Sequence, residues 1–414
     1  MGLGCSNTIE HASEIQSLGP QKLETMPTAE QKPRALVTPE VLAWARREAG
    51  LDPEAAAHKL KVKPDRLARW ESGEDRPTIP QLLKLSEVYK RNPAIFYLPE
   101  PPREALAIHD FRRLQDAGAA TLSSGLRYEI RLATTRREIL LNVLGAEAMQ
   151  TRLPEIRIDN SDQERSAAVI REHLGIALTE QRTWRQPDAG FRHWRDALEQ
   201  IGVLVFQTTR VDVKEMRGFS LVDARLPVIL LNGGDAHAGR TFSLLHELCH
   251  LIFRNGGLCL PGEERHMEGT DHEVLCNRIA GATLVPAESL LAEPIVRRVT
   301  GRENWADEDL AALARVYSVS REAVLRRLLI VGRTTDRFYR EKRRQYAAEA
   351  AAREQDEGGF VVPQFRQALN RLGRLYAKGV LESFYEGRVS ASDLSRYLGL
   401  KLKHLPEFEA AVFS

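Results

Sequence analysis

The sequence predicts a mainly α fold with a small β-sheet: a helical N-terminal module, a central α+β domain and a helical C-terminal tail. Three observations carry that expectation. Helix start and stop signals, a capping residue or proline followed by a closing glycine, recur between residues 38 and 91, and helical patterning resumes after Pro286. Between them lie three short apolar runs of strand length, Val203–Phe206, Gly218–Val222 and Val228–Leu231. A longer apolar segment, Thr241–Phe253, is interrupted by His246, Glu247 and His250 and reads as a helix packed inside a domain.

Composition sets the broad class. A chain of 414 residues is long enough for two or three domains, and 43% hydrophobic with 28% charged residues is ordinary for a globular protein. With 59 basic against 57 acidic residues the net charge is +2, so any nucleic-acid surface must be local. Cys5, Cys249, Cys259 and Cys276 are too few and too scattered for a disulfide framework, which points to a reducing compartment. No apolar run approaches the roughly 20 residues that span a bilayer. A cytoplasmic protein with no membrane partner is expected.

Residues 1–36 lack periodicity and mix Ser, Thr, Gly, Pro, Gln and Glu, so a disordered extension is expected. Met1-Gly2-Leu3-Gly4-Cys5-Ser6 fits the N-myristoylation pattern, but no polybasic segment follows and the match is read as chance. Residues 37–95 form a compact helical module. Thr38-Pro39 opens a helix that Gly50 ends, Asp52-Pro53 opens one reaching Leu60, Pro64 starts a third stopped by Gly73, and a fourth runs from Ile79 to Lys90. Short helices joined by tight turns, the third presenting Lys63, Arg66 and Arg69, describe a helix-turn-helix DNA reader. Leu67-Ala68-Arg69-Trp70-Glu71-Ser72-Gly73, then Arg76-Pro77-Thr78 and Gln81–Leu85, resembles the Xre-type (Cro/C1-like) helix-turn-helix. Glu54 stands about where that family opens its second helix with Gln, and Asp65 adds negative charge at the reading edge. The competing reading is a helical protein-interaction module.

Residues 96–160 are expected to be a linker and helical connector: a stiff Leu98–Pro102, a polar cluster His109–Arg113 that docks the linker, and a long helix over 121–147. Its Arg127, Arg131, Arg136 and Arg137 read as a solvated face, with DNA phosphates as the alternative. A domain over 161–335 follows. It begins with helices near 162–174 and 191–200 and continues into the strands, placed in a sheet beside the Thr241–Phe253 helix. If Val228–Asn232 is an edge strand, an extended substrate can pair with it; burial of that edge would remove this option.

Residues four apart share a helix face, so His246 and His250 can hold one metal ion between them, and Glu247 can reach a water beside it without being a ligand. Zinc with an open position lowers the pKa of water to about 7, and a nearby carboxylate can take its proton. Hydrolytic zinc needs a third protein ligand. Thr270–Ala280 reads as a second helix with Asp271 as cap and Glu273, Asn277 and Ala280 on one face. Glu273 is therefore the expected third ligand, with Asn277 nearby; the runner-up, His272, points about 100° away around the helix. Cys249 and Cys276 lie close to this set and read as buried thiols, with metal binding or a thiol switch as alternatives. Arg240, His237 and His266 are candidates for stabilising an oxyanion.

Met216-Arg217-Gly218-Phe219-Ser220-Leu221, Leu226–Asn232, the His-Glu helix, Glu273 to Asn277 and Leu284-Val285-Pro286, in that order, resemble the ImmA/IrrE family of metallopeptidases over roughly residues 160–335. Cys249 stands where that family usually has Gly. The resemblance implies a zincin-like domain that cleaves a repressor protein and so switches genes on. By matching position it assigns one zinc ion to His246, His250 and Glu273, the catalytic base to Glu247, and draws attention to Asn232.

After Pro286, helices are expected over Asp307–Tyr317 and Ser320–Leu328. Residues 336–414 form a helical C-terminal region of no evident chemistry, with a charged helix to 356, a break at Gly358-Gly359, and helices over 365–386 and 390–400. The leading expectation is a DNA-associated zinc endopeptidase acting on a repressor, or on its own linker, in response to stress, phage or DNA damage. The alternatives are a helix-turn-helix regulator or antitoxin-like module whose peptidase-like domain serves for sensing or assembly. A homodimer stays open.

Overall fold

The computed structural model describes residues 33–102, 122–145, 153, 156–159, 161–253, 258–259, 271–354 and 362–414. The Met1–Ser6 motif, the His109–Arg113 cluster, His266 and Gly358-Gly359 lie outside these residues.

The N-terminal module is built from α1 (Pro39–Glu48), α2 (Pro53–Leu60), α3 (Pro64–Ser72) and α4 (Ile79–Tyr89). Proline in the first turn of each helix matches the backbone there and removes an N–H that has no partner. The Asp52 carboxylate accepts from the Ala55 N–H, and Thr78 and Gln81 form a reciprocal capping box at α4. Val41, Leu42, Leu67, Trp70, Leu85 and Tyr89 make its core. Arg46 braces α1 against α3 through two bonds to Glu71, of 2.8 and 3.0 Å.

The long connector helix is α5 (Ser124–Leu144), followed by α6 (Gln163–His173), α7 (Leu178–Trp184) and α8 (Pro187–Gln200). The sheet comprises β1 (Leu204–Thr208), β2 (Gly218–Leu221), β3 (Val228–Asn232) and the two-residue β4 (Leu258–Cys259), in the order β1-β3-β2-β4. β3 runs parallel to β1 and antiparallel to β2. It is therefore an interior strand with both ladders filled, so a substrate cannot add to Val228–Asn232.

Every residue of β1, β2 and β3 is buried, because the sheet is covered on both faces. The two-residue period sorts the side chains. Val205, Ile229 and Leu231 join one core with Leu244, Leu245 and Leu248 of α9 (His237–Ile252). Leu204, Phe206, Phe219, Val228 and Leu230 face the other way and pack with Leu126, Ile130 and Leu140 of α5.

The C-terminal region supplies the rest of that second layer. After α10 (Asp271–Leu284), α11 (Ala287–Ala292), α12 (Pro294–Arg298), α13 (Asp307–Tyr317), α14 (Arg321–Ile330) and α15 (Asp336–Glu354) come α16 (Gln364–Leu372), α17 (Arg374–Tyr385), α18 (Ala391–Leu398) and α19 (Leu405–Phe413). Tyr376, Val380, Leu381 and Phe408 complete the core, and the Tyr376 ring meets Phe206 edge-on at 5.7 Å. The helix expected over 365–386 is broken at Gly373, whose φ of 78° suits glycine and where a Cβ would collide with the Glu199 carboxylate. That carboxylate accepts from the Arg374 and Leu375 N–H groups at 2.7 and 2.9 Å, capping α17 from α8.

The α5 arginines are not a free solvated face. Arg136 is buried over the Phe206 ring, and Arg137 bonds the Arg225 and Leu226 carbonyls at the β2–β3 turn. Among the described residues no helix is long and apolar enough to cross a membrane. Because α17 closes the second layer, Leu381→Ala is expected to lower the unfolding free energy by about 2–5 kcal/mol. The half-exposed Leu402→Ala should stay within about 0.5 kcal/mol, both read by denaturant titration.

Candidate metal centre

α9 runs through the core, and every residue from Ser243 to Leu251 is buried. Its leucines pack outward in several directions, so its polar side chains are carried into a place where each must find a partner or pay for desolvation. His246 and His250, one turn apart, bring their Nε2 atoms to 2.9 Å. Glu273 reaches them from the first turn of α10, with Oε2 at 3.2 Å from His246 Nε2 and Oε1 at 3.0 Å from His250 Nε2. The structure thus brings together His246, His250 and Glu273, whose donor atoms lie within 4.8 Å of one another.

The residues fit a metal ion. Two imidazole nitrogens and one carboxylate oxygen form a donor set used by hydrolytic zinc. Their separations are near the about 3.3 Å expected between two ligands of a tetrahedral ion bound at about 2.0–2.1 Å. The electrostatics agree. The two imidazoles hold the Glu273 carboxyl well below the usual range, although burial works the other way. Burial disfavours a charged His250, yet its contacts with Cys276 and Glu273 push its pKa up to about 11. Metal ligands bind in their deprotonated forms, so a cation and protons would compete for these same donor atoms.

Glu247 is fully buried beside the pair, and both its carboxylate oxygens lack a hydrogen-bond partner, as does Nδ1 of His246. Burial pushes its carboxyl above the ordinary range, opposed by His250 and His246. Gly218 at the start of β2 permits this placement: a Cβ there would lie 3.3 Å from Glu247 Cγ and 3.2 Å from Leu231 Cδ2. Ser220, two residues on, also bears on the carboxyl. Sequence reasoning did not single out Gly218 or Ser220 as neighbours of Glu247; a glycine opening a strand, a sign of close backbone approach, was the available signal.

The other candidates lie elsewhere. His272 is exposed and its ring packs on Phe253 at 5.7 Å, while Asn277 is half-buried one turn beyond Glu273. Asn232 is fully buried, its amide donating to the Val211 and Met216 carbonyls and its oxygen accepting from the Gly234 N–H. These bonds fix the chain where β3 turns toward α9. Arg240 bonds Gln207 and stacks over Phe191, which His237 also approaches, in a cavity that does not include the cluster. Cys249 and Cys276 are free buried thiols, with Cys276 Sγ 4.0 Å from His250 Nδ1. In the N-terminal module, Lys63, the residue that precedes α3, and Arg69 on α3 are exposed, whereas Arg66 is half-buried with its guanidinium over Trp70. Gly218→Val, which forces a branched side chain against Glu247 and Leu231, is expected to cost about 1–3 kcal/mol in thermal or chemical unfolding.

Residues 198–329, about a third of the chain, match the peptidase-family model described as an IrrE N-terminal-like domain. Residues 42–96 match a helix-turn-helix model. No curated protein matches the chain. The chain therefore carries a helix-turn-helix domain followed by an IrrE N-terminal-like, metallopeptidase-type domain, the make-up of a DNA-binding regulator with a metallopeptidase-like part.

Proposed function

We propose that this protein is a cytoplasmic zinc-dependent endopeptidase that cleaves a partner transcriptional repressor and so derepresses stress, phage or mobile-element genes. The observation that supports it most is the convergence of His246, His250 and Glu273 beside the buried Glu247. His246, His250 and Glu273 would hold the ion, one per chain. Zinc with three protein ligands supplies a Lewis acid and makes water nucleophilic near neutral pH. Glu247 takes a proton from the attacking water on a carboxylate oxygen and returns it to the departing amine nitrogen of the cut peptide. Asn232 fixes the turn that leads into α9, and Gly218 leaves room for the Glu247 carboxyl. The helix-turn-helix keeps the enzyme near DNA, where its substrate sits, with Arg66 and Arg69 on the reading helix and Lys63 at its start.

The complete burial of Glu247 favours a second reading, in which the peptidase-like fold serves sensing or assembly in a DNA-binding regulator. One experiment separates the two. Wild-type protein and Glu247→Gln should each carry one zinc per chain by elemental analysis, while the variant cleaves the repressor of a neighbouring gene about 10²–10⁴-fold more slowly. His250→Ala should lose both zinc and cleavage. Equal cleavage by wild type and Glu247→Gln, or none by the zinc-loaded wild type, leaves the second reading. For the DNA contact, Arg69→Ala should weaken binding uniformly across sequences and reduce the slope of log affinity against log salt by about 1, measured by mobility shift.

A further inference from the structure

A cavity of about 210 Å³ opens at the first turn of α9, walled by α8, the end of β1, and α16 and α17 of the C-terminal layer. None of its lining residues belongs to the metal cluster. Four arginines line it, Arg192 and Arg195 from α8, Arg240 from α9 and Arg374 from α17. Three of them are matched by carboxylates: Arg192 by Asp188 at 3.0 Å, Arg195 by Glu199 at 3.2 Å and Arg374 by Asp196 at 3.6 Å.

Arg240 is different. Among the described residues no carboxylate comes within ion-pair distance of it. Nη1 donates to Gln207 Oε1 at 2.5 Å, while Nε is buried with no hydrogen-bond partner. Phe191 supports the guanidinium face, 5.2 Å from the ring centroid, which sets the fork beside the cavity. Burial lowers the Arg240 pKa; the Asp235 carboxylate opposes this from beyond ion-pair distance, and Arg195 adds to it. A buried guanidinium N–H without an acceptor is costly, and the planar fork pairs best with a carboxylate or phosphate.

We propose that this cavity binds a small oxyanion-bearing metabolite, whose carboxylate or phosphate pairs with Arg240. The volume corresponds to about seven waters at about 30 Å³ each, room for a phosphate ester or dicarboxylate of a few carbons and less than larger ligands need. The ligand touches both α9 and the C-terminal layer, and Arg240 lies on the helix that carries Glu247. Occupancy thus reports a metabolite to the metal-bearing helix, and its detection does not depend on the peptidase reading.

The test is calorimetric and thermal titration of the full-length protein with sodium phosphate, glycerol 3-phosphate and succinate, each against sodium chloride of equal ionic strength. Saturable binding with a rise in melting temperature is expected for at least one anion, and the pattern across the three separates phosphate from carboxylate recognition. Arg240→Gln should weaken that binding at least about 10-fold, since it removes a charge-assisted fork. Arg240→Lys, which keeps charge and stem but not the fork, serves where the glutamine variant fails to fold, and should be at least about 5-fold weaker. No saturable response to any anion up to about 10 mM, or unchanged affinity in a folded variant, overturns the proposal.

Discussion

The structure depends on one constraint: α9 passes through the core with His246, Glu247 and His250 buried on it. A helix placed there contributes its leucines to packing, but its ionisable side chains lose water and must be compensated inside the protein. Glu273 is the compensation the fold provides for the two imidazoles, delivered by a second helix packed alongside. Glu247 has no paired partner of that kind: its oxygens make no hydrogen bond of good geometry, the two imidazoles and Ser220 bear on the carboxyl only in part against burial, and the local backbone approach at Gly218 keeps the space around it narrow. A polar group held at such a cost is the sort of feature that marks functional sites rather than stable cores.

Holding α9 in place takes a sheet that is itself held from behind. β3 is paired on both edges, and its alternating residues feed two cores, one with α9 and one with α5, α16, α17 and α19. The second core explains why α16 to α19, which carry no recognisable chemistry, each present an apolar face: with α5 they keep Leu204, Phe206, Phe219 and Leu230 from water. Glu199 ties the two layers, lying fully buried between Arg195 and the first turn of α17. The same junction forms the arginine-lined cavity, so the C-terminal layer both supports the sheet and walls a site next to the start of α9.

The helix-turn-helix module follows a more local logic. Its helices are opened by Pro39, Pro53, Pro64 and the Thr78–Gln81 box, and its core is a self-contained set around Trp70 and Tyr89. Nearly all of this was readable from residue order, because caps and helix-starting prolines act within a few positions of themselves. The strands near 204, 218 and 228 were readable for a related reason, being short β-rich runs set between turns.

The sequence by itself determined what depends on nearest neighbours along the chain: where helices start, that His246 and His250 share a face, and that Glu273 rather than His272 lies on the Asn277 face of its helix. Tertiary structure alone decided the rest. It put β3 inside the sheet, turned Arg240 and His237 into a separate cavity, drew Arg136 beneath the sheet against Phe206, and gave the C-terminal helices a face to cover. Periodicity tells which residues of a helix or strand lie together but not what will stand opposite them. That choice is made by contacts between segments far apart in sequence, whose packing no short stretch of chain encodes.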